Sequence, residues 1–385
     1  MFGKQVTLFK LFGFEVRVDA SWLFLAFLIT WTLAVGYFPY RYHGLPTLDY
    51  WWMGVACAIG LFASIVVHEL SHSLVARQHN LPMKGITLFI FGGVAEMSDE
   101  PADAKTEFLM AIAGPIASIV IGCVLYLVYA AGRNTWSTPV AGVIGYLAWL
   151  NLVLAAFNLV PAFPLDGGRV LRSALWYWKG NLAWSTKIAS SIGSGFGILL
   201  MVLAVWQLFS GNFVGAMWWF LIGLFLRGAA ESSYRQLMMR QALTGEPVSR
   251  LMSSTPVTVT PDTSIEHLVE DYIYKKHYKM FPVVSEGSER LAGCVTTSDV
   301  KRIPRGEWPA HRVQELVHPC SDDNTVSSDT DAVKALAKIS KSGQSRLMVV
   351  DHDRLVGVIS LKDLMAFLAA KLDLEGNFRH GAPAR

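Results

Sequence analysis

Residues 67–72 read Val-His-Glu-Leu-Ser-His. On a helix, His68 and His72 are four residues apart, project from one face and stand about 6 Å apart along the axis. Two imidazoles so placed can bind one zinc ion, and the Glu69 carboxylate beside them suits a general base. The stretch around them is otherwise apolar, and three ionisable groups buried there without a partner are costly, which favours a metal over a merely structural pair. A catalytic zinc takes three protein ligands and keeps one position open, so a third donor must come from elsewhere. The segment Asn158-Leu-Val-Pro-Ala-Phe-Pro-Leu-Asp166-Gly-Gly-Arg169 offers one. Its prolines break a helix, its glycines allow tight turns, and irregular backbone at membrane depth is tolerated only inside protein or beside a wet cavity. Such a setting turns Asp166 toward the histidines; on residue type alone, Asp166 suits the cap of the next helix equally well. Asn158 reads either as a donor to a substrate backbone or developing oxyanion, or as an interhelical hydrogen bond.

The elements that must hold these groups are membrane helices. The chain has 385 residues, 52% of them hydrophobic and only 16% charged, against about a quarter charged in soluble domains. Charge is unevenly spread: 26 charged residues fall in the first 240 positions and 37 in the remaining 145. Six apolar runs are long enough to span, at roughly 20–38, 51–76, 108–131, 140–160, 188–209 and 213–230. The first has no small-residue cleavage site after it and reads as a retained span rather than a signal peptide. Thirteen Lys and Arg fall on one side of these spans and two on the other, which places both termini in the cytoplasm. Cys57, Cys123, Cys294 and Cys320 are far apart and form no disulfide scaffold. A net charge of +3 makes no case for nucleic acid as a partner.

His68-Glu69-Leu-Ser-His72 in one span, with Asn158-x-x-Pro161-x-x-Pro164-Leu-Asp166-Gly167 in a later one, resembles the site-2 proteases, intramembrane zinc metalloproteases. Phe12–Trp22 and Ala113-Gly114-Pro115 resemble them too, over about residues 1–230, with Ser118 where members often show Asn. The resemblance implies zinc ligands His68, His72 and Asp166 and the base Glu69. Zinc lowers the pKa of a bound water toward about 7, and Glu69 would relay its proton to the leaving amine. It also implies a re-entrant β-hairpin. Two β-prone runs within 85–97 flank Gly92-Gly93, a hairpin signal, and such a hairpin could offer an edge strand to an unwound substrate.

Downstream, Gly293/Thr296/Asp299 and Gly357/Ser360/Asp363 repeat one Gly-x-x-[Thr/Ser]-x-x-Asp signature 64 residues apart. The duplication resembles a tandem CBS pair, a soluble α/β module. The resemblance implies adenine nucleotide (ATP, ADP or AMP) in its clefts, with Asp299 and Asp363 near ribose and Thr296 and Ser360 near phosphate; without a ligand they are helix caps. Lys275, Lys276 and Lys279 suit phosphate or simply a solvated helix face.

The expected organisation is a polytopic α-helical membrane domain of six transmembrane helices at 1–230, a helical linker at 231–245, a CBS pair at 246–372 (246–305 and 306–372) and a flexible tail at 373–385. The expected function is regulated intramembrane proteolysis in a prokaryotic inner or plasma membrane. Its expected partners are a membrane-embedded protein substrate, the lipid bilayer, a regulatory nucleotide and a second copy through the CBS pair. A transporter or channel gated by the CBS pair is the second reading, and a catalytically dead scaffold the third. A transport path needs no proline-broken segment converging on H-E-x-x-H, and binding alone needs no general base.

Overall fold

The N-terminal strands alternate by residue: Phe14, Val16 and Val18 are buried while Glu15 and Arg17 pair on the other face, 2.8 Å apart. A computed structural model describes residues 5–81, 83–89, 92–97, 100–285 and 290–375; of the tail expected at 373–385, residues 373–375 are helical and the rest lie outside the described residues. The chain divides into two units between Arg235 and Gln236.

In the first unit, β1 (Gln5–Leu11) and β2 (Phe14–Asp19) form a hairpin whose turn residues Phe12 and Gly13 have φ of 50° and 89°. β3 (Met83–Phe89) joins β2 in parallel, and β4 (Gly92–Met97) pairs antiparallel with β3. The order β1-β2-β3-β4 leaves β4 at an edge. Gly92 and Gly93 open β4 instead of forming the turn, because the pairing continues to Phe89 opposite Gly92. The buried face of the sheet, including Val16, Ile86 and Leu88, packs on Val66 and Leu70, which bracket His68 on its helix.

Among the described residues, six helices are long and apolar enough to cross a membrane: α1 (Ala20–Arg41), α2 (Thr47–Gln78), α3 (Ala104–Gly132), α4 (Thr138–Asn158), α6 (Leu182–Phe209) and α7 (Phe213–Leu243). Large apolar side chains such as Leu127, Val202 and Phe209 stay exposed on their outer faces, as a bilayer solvent requires. Between α4 and α6, in the stretch between the expected spans 140–160 and 188–209, the chain forms the amphipathic helix α5 (Asp166–Lys179). Its 14 residues cover about 21 Å, too short to span. Its inner face buries Gly167, Gly168, Arg172 and Ser173.

The second unit contains the repeat. The first half has a helical stretch at 265–276 and the strands β5 (Met280–Val284) and β6 (Leu291–Thr296). The second has β7 (Thr325–Val326), an amphipathic helix α8 (Ala332–Ser342), β8 (Arg346–Asp351), β9 (Arg354–Ser360) and α9 (Leu361–Glu375). The two halves exchange backbone reciprocally. Cys294 on β6 bridges to His318, which leads into the second half, while Val358 on β9 bridges to Ser253, which leads into the first. The motif glycines make room for these crossings: a Cβ at Gly293 would stand 2.1 Å from the His318 carbonyl oxygen, and one at Gly357 2.8 Å from that of Ser253. Met280, Cys294 and Met348 then share one core, so neither half buries its sheet alone.

Candidate functional site

His68 and His72 lie two-thirds of the way along α2, one turn apart on its buried face, each 4% exposed. Asp166 arrives from a different direction. The chain leaves α4 at Asn158, turns through 159–165 and re-enters a helix at Asp166. This return is tight: a Cβ at Gly167 would stand 2.2 Å from the Leu159 carbonyl oxygen, and one at Gly168 2.2 Å from the Phe163 nitrogen. Two glycines must therefore follow Asp166 for its carboxylate to be delivered there.

The three side chains converge. Asp166 Oδ2 is 3.1 Å from His68 Nε2 and 3.2 Å from His72 Nε2, and the two Nε2 atoms are 3.2 Å apart. Atoms about 2.0–2.1 Å from one zinc at tetrahedral angles stand about 3.3 Å apart, so the donor spacing suits that ion. The outer ring nitrogens fix the inner ones. His72 Nδ1 donates to the Met110 carbonyl at 2.6 Å, and His68 Nδ1 lies 2.9 Å from Ser118 Oγ. The proton held at His72 Nδ1 leaves its Nε2 lone pair toward the Asp166 oxygen, and the Ser118 hydroxyl is able to accept from His68 Nδ1 and leave that ring in the same state. In that state three lone pairs face one point, an arrangement that a cation between them satisfies. Among the described residues, this is the group of three with the donors and spacing to hold a metal. Gly114 on α3 completes the cradle, because a Cβ there would lie 2.2 Å from His72 Nε2 and 2.6 Å from His68 Nε2. The donors and the space both fit zinc.

Glu69 is half-buried and contributes no atom to the donor triangle. It meets the sheet: a Cβ at Gly93 on β4 would lie 2.6 Å from Glu69 Cγ and 3.0 Å from its Oε1. Asn158 is not brought to the donors. Its Nδ2 donates to Leu154 O of its own helix at 3.0 Å, which leaves a second N–H and the amide oxygen. The interhelical amide is Asn151, 1% exposed, which donates to Ser64 Oγ on α2 at 3.0 Å. Sequence reasoning passed over Asn151, the Ser118 contact and Arg172. Arg172, one of the thirteen Lys and Arg on the cytoplasmic side of the spans, is 5% exposed and ion-paired with the fully buried Glu107 of α3.

In the second unit, a cavity of about 560 Å³ is lined by Lys279, Thr296, His318, Asn324 and Arg346 among others. Thr296 caps the short helix Thr297–Val300, its Oγ1 donating to Asp299 Oδ2 at 2.6 Å. Ser360 does the same for α9, donating to Asp363 Oδ2 at 2.6 Å. Asp299 Oδ1 is 2.8 Å from His318 Nε2. Burial raises the Asp299 pKa, but the bonds from Thr296 and His318 outweigh it and hold the carboxyl below its ordinary value. Both Asp299 oxygens are thus engaged within the protein. Lys275 is ion-paired with Asp271.

A six-span bundle that brings H-E-x-x-H and a distant carboxylate to one buried point defines a membrane-embedded metalloprotease. Comparison with known proteins agrees. The description "Peptidase family M50" matches residues 56–135 and 129–204, and "CBS domain" matches 248–306 and 313–370. A protein of Synechocystis named as a zinc metalloprotease is 33% identical over 366 residues, covering 93% of this chain and 94% of its own. A zinc metalloprotease of Methanocaldococcus jannaschii is 32% identical over 378 residues, covering 96% and 99%. The solved site-2 protease of that organism is 31% identical, with a TM-score of 0.43 over 60% of this chain and 94% of its own. The chain belongs to peptidase family M50, the site-2 proteases, and carries a tandem CBS pair in the same polypeptide. It is an integral membrane zinc metalloprotease.

Proposed function

We propose that this protein cuts transmembrane segments of membrane proteins, with His68, His72 and Asp166 holding the zinc and Glu69 acting as the base. The observation that carries this is the convergence of the three donor atoms at 3.1–3.2 Å around the space that Gly114 leaves open. A bound zinc supplies Lewis acidity, which acidifies water and polarises a carbonyl. Glu69 takes the proton from the attacking water and passes it to the leaving amide nitrogen as the peptide C–N bond breaks. Asn158 gives one amide N–H to Leu154 O, and its second N–H is the donor offered to the substrate backbone or developing oxyanion. Zinc content and cleavage of a tagged transmembrane substrate by the full-length protein in detergent test this reading. Purified protein with no zinc and no cleavage overturns it.

The edge strand β4 holds the unwound substrate beside Glu69. Support comes from its place at the sheet edge and the close approach of Gly93 to Glu69. Main-chain bonding to such an edge gives affinity without a sequence requirement, which suits a helix that must open to be cut. Val94→Pro removes a backbone donor from β4 and is expected to lower cleavage at least tenfold while zinc content stays at the wild-type level. Wild-type cleavage by Val94→Pro sinks the edge-strand role.

Both termini lie in the cytoplasm of a prokaryotic inner or plasma membrane. The Lys and Arg imbalance supports this, and it stays strongly one-sided after Arg172 is set aside as buried. The CBS pair binds an adenine nucleotide in the 560 Å³ cavity and through it regulates the protease. Lys279 and Arg346 meet its phosphates and Thr296 lies beside them. Calorimetric titration with ATP, ADP and AMP is expected to show saturable binding, weakened about tenfold or more in Lys279→Ala/Arg346→Ala. A flat titration with all three removes the nucleotide from the account.

A further inference from the structure

The two histidines and Asp166 sit on different helices, and α5, which carries Asp166, is not one of the six spans. The bilayer therefore does not fix its depth or rotation. The end of α5 is exposed, with Tyr177 84% and Trp178 71% accessible. At its middle, one side chain crosses to α3. Arg172 Nε donates to Glu107 Oε1 at 2.6 Å and Arg172 Nη2 pairs with the same oxygen. Glu107 is fully buried and its other oxygen has no partner among the described residues, so Arg172 supplies its compensation. A looser contact joins Arg172 Nη2 to Glu100 Oε2 at 3.5 Å. The guanidinium also lies 5.1 Å over the ring of Phe163, in the turn that leads into Asp166.

α3 is the helix that already orients both histidines, through Met110 O and Ser118 Oγ. Glu107 lies one turn before Met110 on it. One helix thus holds the histidine rings by their outer nitrogens and α5 by an ion pair. We propose that Arg172 and Glu107 are positioning residues that register Asp166 against His68 and His72. The planar guanidinium suits this task because it fixes direction as well as charge, unlike an ammonium. The inference rests on the zinc-site reading above.

The test uses full-length protein in detergent, loaded with Co²⁺ in place of zinc. Metal affinity is read by chelator competition and ligand geometry by the visible spectrum. Arg172→Met and the isosteric Glu107→Gln are expected to lower metal affinity about 10–100-fold and to move the cobalt spectrum toward that of Asp166→Ala. The double variant Arg172→Met/Glu107→Leu removes both buried charges, and the partly exposed Glu100 is left to water, so it separates folding from positioning. Wild-type helicity and thermal midpoint in the double variant, with affinity still weakened, support the proposal. Recovery of wild-type affinity and spectrum in the double variant overturns it, because ordinary packing would then suffice. Unchanged affinity in both single variants overturns it as well. Wild-type protein that binds no cobalt, or Asp166→Ala with an unaltered spectrum, overturns the zinc-site reading and this proposal together.

Discussion

Glu69→Gln lowers cleavage of a membrane-embedded substrate by about 10²–10⁴-fold and leaves zinc content at the wild-type level. The two halves of this result come from different parts of the structure. Zinc content follows the donor triangle, to which His68, His72 and Asp166 each contribute one atom and Glu69 none. Gln has the size of Glu and keeps the contact with β4 at Gly93, so the fold around the site is undisturbed. What disappears is a carboxylate able to accept a proton, the group the reaction needs next to the attacking water. Asp166→Ala has the opposite signature, losing zinc and cleavage together. Metal analysis of the two purified variants beside a cleavage assay separates them. If Glu69→Gln cuts at the wild-type rate, Glu69 is not the base; if it loses its zinc, Glu69 belongs to the metal site.

The metal centre was legible in the sequence because ionisable groups in an apolar span stand out against their surroundings. His68, Glu69 and His72 interrupt an otherwise apolar α2, and Asp166 follows two prolines that no membrane helix would keep without a reason. The six spans were legible for the same reason of contrast, and the repeat because its glycines recur at one offset. What the sequence hid is what depends on partners far along the chain. Arg172 looks like any cation in a cytoplasmic loop until Glu107, 65 residues earlier, is seen beside it. Ser118 looked like a departure from the family pattern; its hydroxyl meets His68 Nδ1, so a shorter polar side chain serves there. Asn158 and Asn151 are both amides in one helix, and composition could not say which turns across to α2. Gly92-Gly93 read as a turn because glycine pairs usually do; here Gly93 is required by the carboxylate packed against it. In the CBS pair, the motif spacing was visible but the reciprocal strand exchange was not, since each bridge joins a motif residue, Cys294 or Val358, to a partner outside either motif.

Gly114→Ala is expected to abolish zinc binding, and cleavage with it, through one added methyl group. Its Cβ would lie 2.2 Å from His72 Nε2 and 2.6 Å from His68 Nε2. Ordinary contacts between nonbonded heavy atoms fall near 3.5–4.0 Å, so something would have to move by more than an ångström. Neither ring is free to do so. His72 is tethered at Nδ1 to Met110 O and His68 at Nδ1 to Ser118, both on the helix that carries Gly114. A shift of α3 away from α2 would carry those tethers with it and rotate the rings off their common point. Interiors packed to crystal density do not absorb such a displacement locally. The methyl also occupies the space toward which the donor nitrogens point, so metal and side chain compete for one volume. Gly195→Ala on α6 is the matched control, because a Cβ there meets nothing within 4 Å. Both variants are expected to be helical and monodisperse in detergent, with the control at full zinc content and Gly114→Ala below about a tenth of it, the low end set by a ligand pair that can no longer converge. Full zinc content in Gly114→Ala would mean that the histidines reach the metal from positions other than those seen, and the donor triangle would have to be redrawn.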